Sequence, residues 1–168
     1  MNMDKSLKTW LQTIRIKPLG VAVGIPLAVG GLSSLLTKGS MEAFGRLRQP
    51  PLTPPDWVFP VVWSGLYVLM GVSSYLIYTS DFPEKTRRAA LCAYGVTLVL
   101  NFLWPLLFFR AAMHLAAFFL LLALLAAVAA TAYLFGCLRP AAGYLLLPYL
   151  AWTIFAGYLN LGVYWLNR

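Results

Sequence analysis

Five long runs of apolar residues divide the sequence, and short polar or proline-containing segments separate them. The runs extend over residues 18–36, 57–78, 86–109, 113–136 and 141–166. Each is close to the length of about 20 residues that a helix needs to cross a bilayer. Three of the four connections are short, so helices that follow one another must run antiparallel. The pattern predicts an all-α, polytopic membrane protein whose single domain, residues 18–168, is a five-helix transmembrane bundle.

The segment before the first run, residues 1–17, has a different pattern. Apolar residues spaced i, i+3, i+4 and i+7 alternate there with basic ones, which predicts a short amphipathic helix lying in the headgroup layer. A secretory signal peptide also places basic residues before an apolar run. Because this run is long and four more follow it, we interpret it as a retained first span.

The longest connection, residues 38–56, contains four prolines and the basic residues Arg46 and Arg48. Loops of this length are uncommon in compact bundles and are often lids or binding loops. Its prolines favour extended segments over a free coil. Two interpretations fit this pattern equally, a lid over a site and a tolerated surface loop.

Composition narrows the class of protein further. Hydrophobic residues make up 61% of the chain and charged residues 11%, against about 45–50% and about 25% in soluble domains. These values exclude an ordinary globular enzyme, a disordered tail and a nucleic-acid-binding domain. The net charge of +8 comes from basic residues at the ends of the apolar runs, where they anchor a protein to the lipid bilayer. Eight of the 13 lie on the side of the N-terminus, so the positive-inside rule predicts a cytoplasmic N-terminus.

The apolar runs lack the side chains that several chemistries need. All five acidic residues lie outside the runs or at their edges, whereas proton-coupled transport requires an ionisable group inside the bilayer. No Ser/His/Asp set or carboxylate pair for hydrolysis falls within them. Cys92 and Cys137 form no CxxC pair, and His114 has no evident partner as a haem ligand. We therefore expect neither a metal site nor a cofactor.

Three runs each place aromatic residues together with an amide or a hydroxyl group on one helical face. These faces carry Trp57, Pro60, Ser64, Tyr67, Gly71 and Tyr75 on run two, Tyr94, Thr97, Asn101, Trp104 and Phe108 on run three, and Tyr149, Trp152, Ala156 and Asn160 on run five. Facing one another, such stripes would line an apolar pocket with a few hydrogen-bonding groups. Interfacial aromatic belts and asparagines that join helices produce similar stripes. Periodicity alone leaves both interpretations open.

The same residues belong to motifs that resemble those of the translocator protein family, also called tryptophan-rich sensory proteins or peripheral benzodiazepine receptors. The matching segments are Gln49-Pro50-Pro51, Pro54-Pro55-Asp56-Trp57, Pro60-Val61-Val62-Trp63, Leu66-Tyr67, Met70-Gly71, Leu100-Asn101-Phe102-Leu103-Trp104-Pro105, Phe108-Phe109, Pro148-Tyr149-Leu150-Ala151-Trp152, Phe155-Ala156 and Leu159-Asn160. Their order and spacing extend over most of the chain.

The resemblance implies a five-helix bundle, usually a homodimer, with a ligand pocket open toward the long first loop. It implies a receptor that binds porphyrins such as protoporphyrin IX and synthetic benzodiazepine-site ligands. The short C-terminus resembles that of bacterial members, which implies a bacterial cell membrane. The resemblance assigns ligand binding to Trp57, Tyr67, Asn101, Trp104, Tyr149, Trp152 and Ala156.

Three further hypotheses concern the ligand: two its fate and one its carboxylates. As an enzyme, the protein would degrade porphyrins in light, with Trp57 and Trp152 as electron donors to the excited macrocycle. As a transporter, it would move porphyrins without in-span charges, hence passively or with a partner protein. On the loop, which also carries Pro50 and Pro51, Arg46 or Arg48 would pair with the porphyrin carboxylates.

Overall fold

The computed structural model describes residues 15–40 and 44–168, and within them it is all-helical. The helices are α1 (Ile16–Thr37), α2 (Val58–Tyr78), α3 (Glu84–Pro105), α4 (His114–Leu138), α5 (Pro140–Leu145) and α6 (Leu147–Leu166). They provide five segments long and apolar enough to cross a membrane, because α5 and α6 together form the fifth. This confirms the predicted fold class. Most of the N-terminal amphipathic segment predicted for residues 1–17 lies outside the described residues.

Two short helical turns extend the spans beyond these helices. A 3-10 turn, Lys38–Ser40, follows α1, and a π-helical turn, Leu106–Arg110, follows α3. Pro105 precedes the π turn and has no N–H to donate to the carbonyl of Asn101, which favours a change of helical register at this point. The wider turn brings two consecutive rings, Phe108 and Phe109, to the same wall of the bundle.

The fifth span is divided at Leu146, between α5 and α6. Pro148 follows closely, and its ring cannot donate a hydrogen bond to the carbonyl one turn earlier. The two halves have different neighbours: α5 packs against α2 and α4, whereas α6 packs mainly against α4 and makes little contact with α2. A space therefore opens between α2 and α6 in the half of the bundle nearest the first loop.

Close helix contacts elsewhere depend on glycine. A Cβ atom on Gly71 of α2 would meet the backbone of Val23 and would lie 2.8 Å from the carbonyl oxygen of Ala22, both in α1. A Cβ on Gly143 of α5 would lie 2.7 Å from Cα of Gly136 in α4. The bundle is thus held tightly at these two crossings while it stays open beside α6.

Candidate functional site

A cavity of about 510 Å³ lies between α1, α2, the end of α3, α6 and the first loop. This volume is within the range of about 300–1,000 Å³ that is usual for small-molecule sites. Eight aromatic side chains line it: Phe44, Phe59, Trp63, Tyr67, Trp104, Phe108, Phe109 and Trp152. Both Lys38 and Asp56 are exposed and line the cavity too, so its mouth is at the first-loop end of the bundle.

The aromatic wall consists of rings that also pack against one another. Trp104 stacks on Phe108 with ring centroids 5.2 Å apart and an interplanar angle of 19°. Across the cavity, Trp63 stacks on Tyr67 at 5.5 Å. Phe59 meets Trp152 edge to face at 6.1 Å. Each such pair stabilises the fold by about 0.5–1.5 kcal/mol beyond the burial of its area, so the wall is set before a ligand arrives.

A buried hydrogen-bonded chain fixes the polar part of the wall. The Tyr67 hydroxyl donates to Oδ1 of Asn101 at 2.9 Å, and Nδ2 of Asn101 donates to the Tyr149 hydroxyl at 2.7 Å. Asn101 is 2% exposed, so either bond, if broken, would leave a buried polar group without a partner. The chain ties α2, α3 and α6 together at the inner end of the cavity.

Two other polar side chains in the wall have no such partners. Both amide atoms of Asn160 and Nε1 of Trp104 are buried and make no hydrogen bond within residues 15–40 and 44–168. Both residues line the cavity. Buried polar groups in proteins are nearly always paired, so unpaired ones in a cavity wall favour a ligand that supplies the missing partners. The cavity thus offers donors at Trp104 and Asn160 and an acceptor at Asn160.

Helix α1 reaches the site through a glycine. A Cβ atom on Gly30 would overlap the Tyr67 ring, so the ring lies directly against the α1 backbone. Ser33 of α1 donates to the carbonyl of Phe102 at 3.4 Å and lines the cavity nearby. The apolar first run therefore contributes a smooth, small-residue wall opposite the aromatic ones.

The first loop is fastened to α6 at several points. Asn167 accepts from the backbone N–H of Arg48 and donates to its carbonyl oxygen, each at 2.9 Å. Tyr158 donates to the carbonyl oxygen of Pro51 at 2.8 Å. Pro50 is buried against Gly162, where a Cβ would lie 2.6 Å from the proline ring. Of the two interpretations of this loop, a cover over a cavity fits the structure.

A left-handed residue shapes the same part of the loop. Leu52 has φ of 66°, and the backbone N–H of Thr53 donates to the carbonyl of Pro50. A residue other than glycine in the left-handed region of backbone conformation costs about 1 kcal/mol or more. The attachments to α6 hold the turn in place despite that cost.

Most of the predicted site residues come together here. The cavity wall includes five of them: Tyr67, Asn101, Trp104, Trp152 and Ala156. Tyr149 is 1% exposed and lies behind the wall, where it supports Asn101. The helical stripes of all three runs converge on one space, since Pro60 and Ser64 of run two line the cavity beside Tyr67.

The structure places Trp57 outside the cavity, contrary to the ligand-binding role that the resemblance implies. Its side chain is 68% exposed, and it precedes α2, which begins at Val58. By the helical period Trp57 lies about 100° around the helix from the midpoint of Trp63 and Tyr67. Trp63, which the stripe omitted, lines the cavity instead. Its spacing of four residues from Tyr67 is the signal that could have identified it.

The basic residues of the loop also differ from the prediction. Both Arg46 and Arg48 are exposed and neither lines the cavity, whereas Lys38 at the end of α1 does. The lid residues Pro50 and Pro51 do not line the cavity. They contact α6 instead, Pro50 at Gly162 and Pro51 through the hydroxyl of Tyr158. Within the described residues no group of three or more His, Cys, Asp or Glu side chains lies close enough to hold a metal ion.

Comparison with known proteins gives a consistent result over nearly the whole chain. A profile of the TspO/MBR family matches residues 22–166. A tryptophan-rich protein TspO of Archaeoglobus fulgidus is 36% identical over 143 residues, which cover 84% of this chain and 91% of that protein. A tryptophan-rich sensory protein of Cereibacter sphaeroides is 32% identical over 168 residues, with 99% and 95% covered. A translocator protein of Ovis aries is 38% identical over 138 residues, with 81% and 82% covered.

Proposed function

This chain belongs to the TspO/MBR family of integral, multi-pass membrane proteins, and we propose that it is a receptor for a flat, hydrophobic tetrapyrrole such as protoporphyrin IX. The same cavity would take benzodiazepine-site ligands. One observation carries the proposal: an aromatic cavity of about 510 Å³ whose wall holds buried, unpaired polar atoms at Trp104 and Asn160. The name of the Cereibacter relative, a sensory protein, is consistent with a receptor role.

Each wall residue has a distinct role in this proposal. The indole of Trp152 stacks on the macrocycle, since it lines the cavity and, among residues 15–40 and 44–168, packs only edge-on or tilted against the rings of Phe59 and Phe155, at 6.1 and 5.5 Å. Trp104 and Asn160 form hydrogen bonds with the ligand's polar edge. Asn101 holds the Tyr67 ring in place through its hydrogen bond rather than offering its own amide.

Replacing Trp152 with phenylalanine tests the stacking role. We expect the affinity for protoporphyrin IX to fall by about threefold to fivefold, because a stacked indole contributes about 1 kcal/mol, or about fivefold, and the smaller phenylalanine ring loses most of it. The affinity is measured in the dark from the change in porphyrin absorbance as detergent-purified protein is added.

Trp57→Phe is the matched control, because the same change is made at an exposed indole outside the cavity. Its affinity should stay within about twofold of the unmodified protein, the scatter expected for a surface substitution. Equal losses for Trp57→Phe and Trp152→Phe would contradict the assigned wall.

Illumination of the same samples tests the alternative of light-dependent degradation. Of the two tryptophans predicted as electron donors, only Trp152 lines the cavity. Degradation through a specific donor should therefore slow in Trp152→Phe and continue in Trp57→Phe. Porphyrin loss at equal rates in all three proteins would argue against a donor role.

Lys38 provides a positive charge at the mouth of the cavity, where the propionate carboxylates of protoporphyrin IX would leave the apolar interior. Lys38→Gln should lower the affinity for protoporphyrin IX by up to about fivefold, since exposed charge pairs contribute up to about 1 kcal/mol. The dimethyl ester of the same porphyrin, which has no carboxylate charge, should bind both proteins alike.

The paired substitution Arg46→Ala and Arg48→Ala is the control for this charge. Both side chains are exposed and outside the cavity wall, so the affinity should change by less than about twofold. A larger loss in the double variant than in Lys38→Gln would assign the carboxylates to the loop arginines instead.

A further inference from the structure

A second cavity, of about 1,090 Å³, lies at the end of the bundle opposite the first loop. It is formed by the start of α1, the end of α2, the start of α3 and the residue before α5. Four arginines line it, Arg15, Arg87, Arg88 and Arg139, against the two carboxylates of Asp81 and Glu84. We call this cavity the basic pocket.

The side chain of Arg87 is tied to the bundle by a hydrogen bond. Its Nη1 donates to the carbonyl oxygen of Tyr78 at 2.6 Å, which fixes the guanidinium against the end of α2. Its Nε is buried and has no hydrogen-bond partner among residues 15–40 and 44–168. A buried guanidinium N–H without an acceptor is costly, so the geometry favours an acceptor from outside the described part of the chain.

The backbone adds to this positive potential. The basic pocket lies at the N-terminus of α3, a helix of 22 residues that begins at Glu84. The positive end of a helix dipole attracts anions, and Glu84 in the first turn offsets only part of this field. The start of α1 is held beside it, because the backbone N–H of Arg15 donates to the Tyr75 hydroxyl at 3.0 Å.

The remaining wall is apolar. Leu76, Phe82 and Leu91 line the basic pocket together with the arginines. Guanidinium groups bind phosphate oxygens with particular strength because their donors match the spacing of the oxygens. An occupant that suits both parts therefore combines a phosphate group with an apolar portion.

We propose that the basic pocket binds a phosphate-bearing anion, and that its source is the phosphodiester headgroup of an anionic phospholipid. Basic pockets between transmembrane helices are known to hold anionic headgroups, and the positive-inside rule predicts this end for the leaflet that carries them. Bound lipid would join α1, α2, α3 and α5 at this end of the bundle.

The two native cysteines allow a direct test. Both are exposed, but Cys92 lines the basic pocket and Cys137 does not. The full chain is placed in nanodiscs of either phosphatidylcholine or a phosphatidylcholine–phosphatidylglycerol mixture. The rate of modification by uncharged N-ethylmaleimide is then measured at each cysteine by peptide mass spectrometry.

We expect phosphatidylglycerol to slow the modification of Cys92 by about fivefold or more relative to that of Cys137, since occupancy protects a site by the factor 1 + [L]/Kd. Cys137 corrects for the lower surface pH of an anionic membrane, because it lies at the same end of the bundle. Inorganic phosphate added to phosphatidylcholine nanodiscs forms the second arm. Protection there, without protection by phosphatidylglycerol, would identify free phosphate as the source of the same anion.

Substitution of the arginines completes the test. In the double variant Arg87→Gln, Arg139→Gln, the rates of Cys92 modification with and without phosphatidylglycerol should differ by less than about twofold, because the charge-assisted hydrogen bonds to the anion are lost. Arg110→Gln removes an exposed charge at the first-loop end and should keep the protection. If the double variant does not fold, Arg139→Gln alone, at an exposed position, should still reduce protection.

Two results would overturn the proposal. Equal slowing of Cys92 and Cys137 by phosphatidylglycerol would mean that the membrane surface, not the basic pocket, changes the reaction. Full protection of Cys92 in the arginine variants would mean that the anion is held elsewhere.

Discussion

Gly71→Ala is expected to lower the stability of the bundle by about 3 kcal/mol, the upper end of the usual cost of overpacking. The added Cβ would meet the Val23 backbone and lie 2.8 Å from the carbonyl oxygen of Ala22, so α1 and α2 would have to separate. Backbone atoms cannot rotate away as a flexible side chain does. The measurement is the midpoint of thermal unfolding of the protein in detergent, monitored by circular dichroism.

Gly65→Ala, in the same helix, is the matched control, because its Cβ would meet nothing within 4 Å. It should be neutral or stabilising by up to about 1 kcal/mol, since alanine favours helix more than glycine does. A second control, Gly24→Ala in α1, also adds a Cβ to open space. An unfolding midpoint for Gly71→Ala equal to that of Gly65→Ala would show that the α1–α2 crossing is not as close as the structure has it.

Ala156→Phe should have the largest effect on binding, with a loss of at least about tenfold in affinity for protoporphyrin IX, or about 1.4 kcal/mol. Ala156 is 8% exposed and lines the cavity one helical turn after Trp152 and one before Asn160. A phenyl ring there would take the space that the ligand needs between the stacking indole and the unpaired amide. Dark titration by absorbance measures the change.

Ala151→Phe provides the same change in side-chain size on the exposed face of α6. Its affinity and unfolding midpoint should match those of the unmodified protein within the scatter of surface substitutions. If Ala156→Phe bound the porphyrin as tightly as Ala151→Phe does, the ligand would have to lie outside this cavity.

Hydropathy determined most of the fold from the sequence. Nine of the ten ends of the five observed spans lie within two residues of the ends of the apolar runs, because a bilayer imposes both length and composition on each segment. The exception is the first span, which ends at Ser40, four residues beyond its run. The faces of α3 and α6 followed from the helical period too. Asn101 and Trp104 share one wall, and Trp152 and Ala156 share another, as their spacing predicted.

On α2 the helical period placed Pro60, Ser64 and Tyr67 correctly in the cavity wall, but it did not identify the tryptophan that joins them. Trp57 and Trp63 both lie near one end of the run, and only the position of the helix relative to α6 decides which of them meets the cavity. That position depends on the break at Leu146, which separates α6 from α2. The packing of α2 relative to α6 thus determines that Trp63 lines the cavity, although its spacing of four residues from Tyr67 can be seen in the sequence.

Charges at the two ends of the bundle illustrate the same limit. The sequence places Arg15, Arg87 and Arg139 on one side of the membrane, but they are far apart along the chain. Only the packing of α1, α2 and α3 brings them around one cavity. At the other end, loop geometry directs Arg46 and Arg48 away from the cavity and leaves Lys38 at its mouth.

The most direct test of the central claim is a dark titration of the unmodified protein with protoporphyrin IX, followed by displacement with an isoquinoline carboxamide. One aromatic cavity for both ligands predicts saturation at one porphyrin per chain, with quenching of tryptophan fluorescence, and full release of the porphyrin by the competitor. Porphyrin uptake that rises without saturation, or that the competitor leaves unchanged, would contradict the claim that this cavity is the tetrapyrrole site.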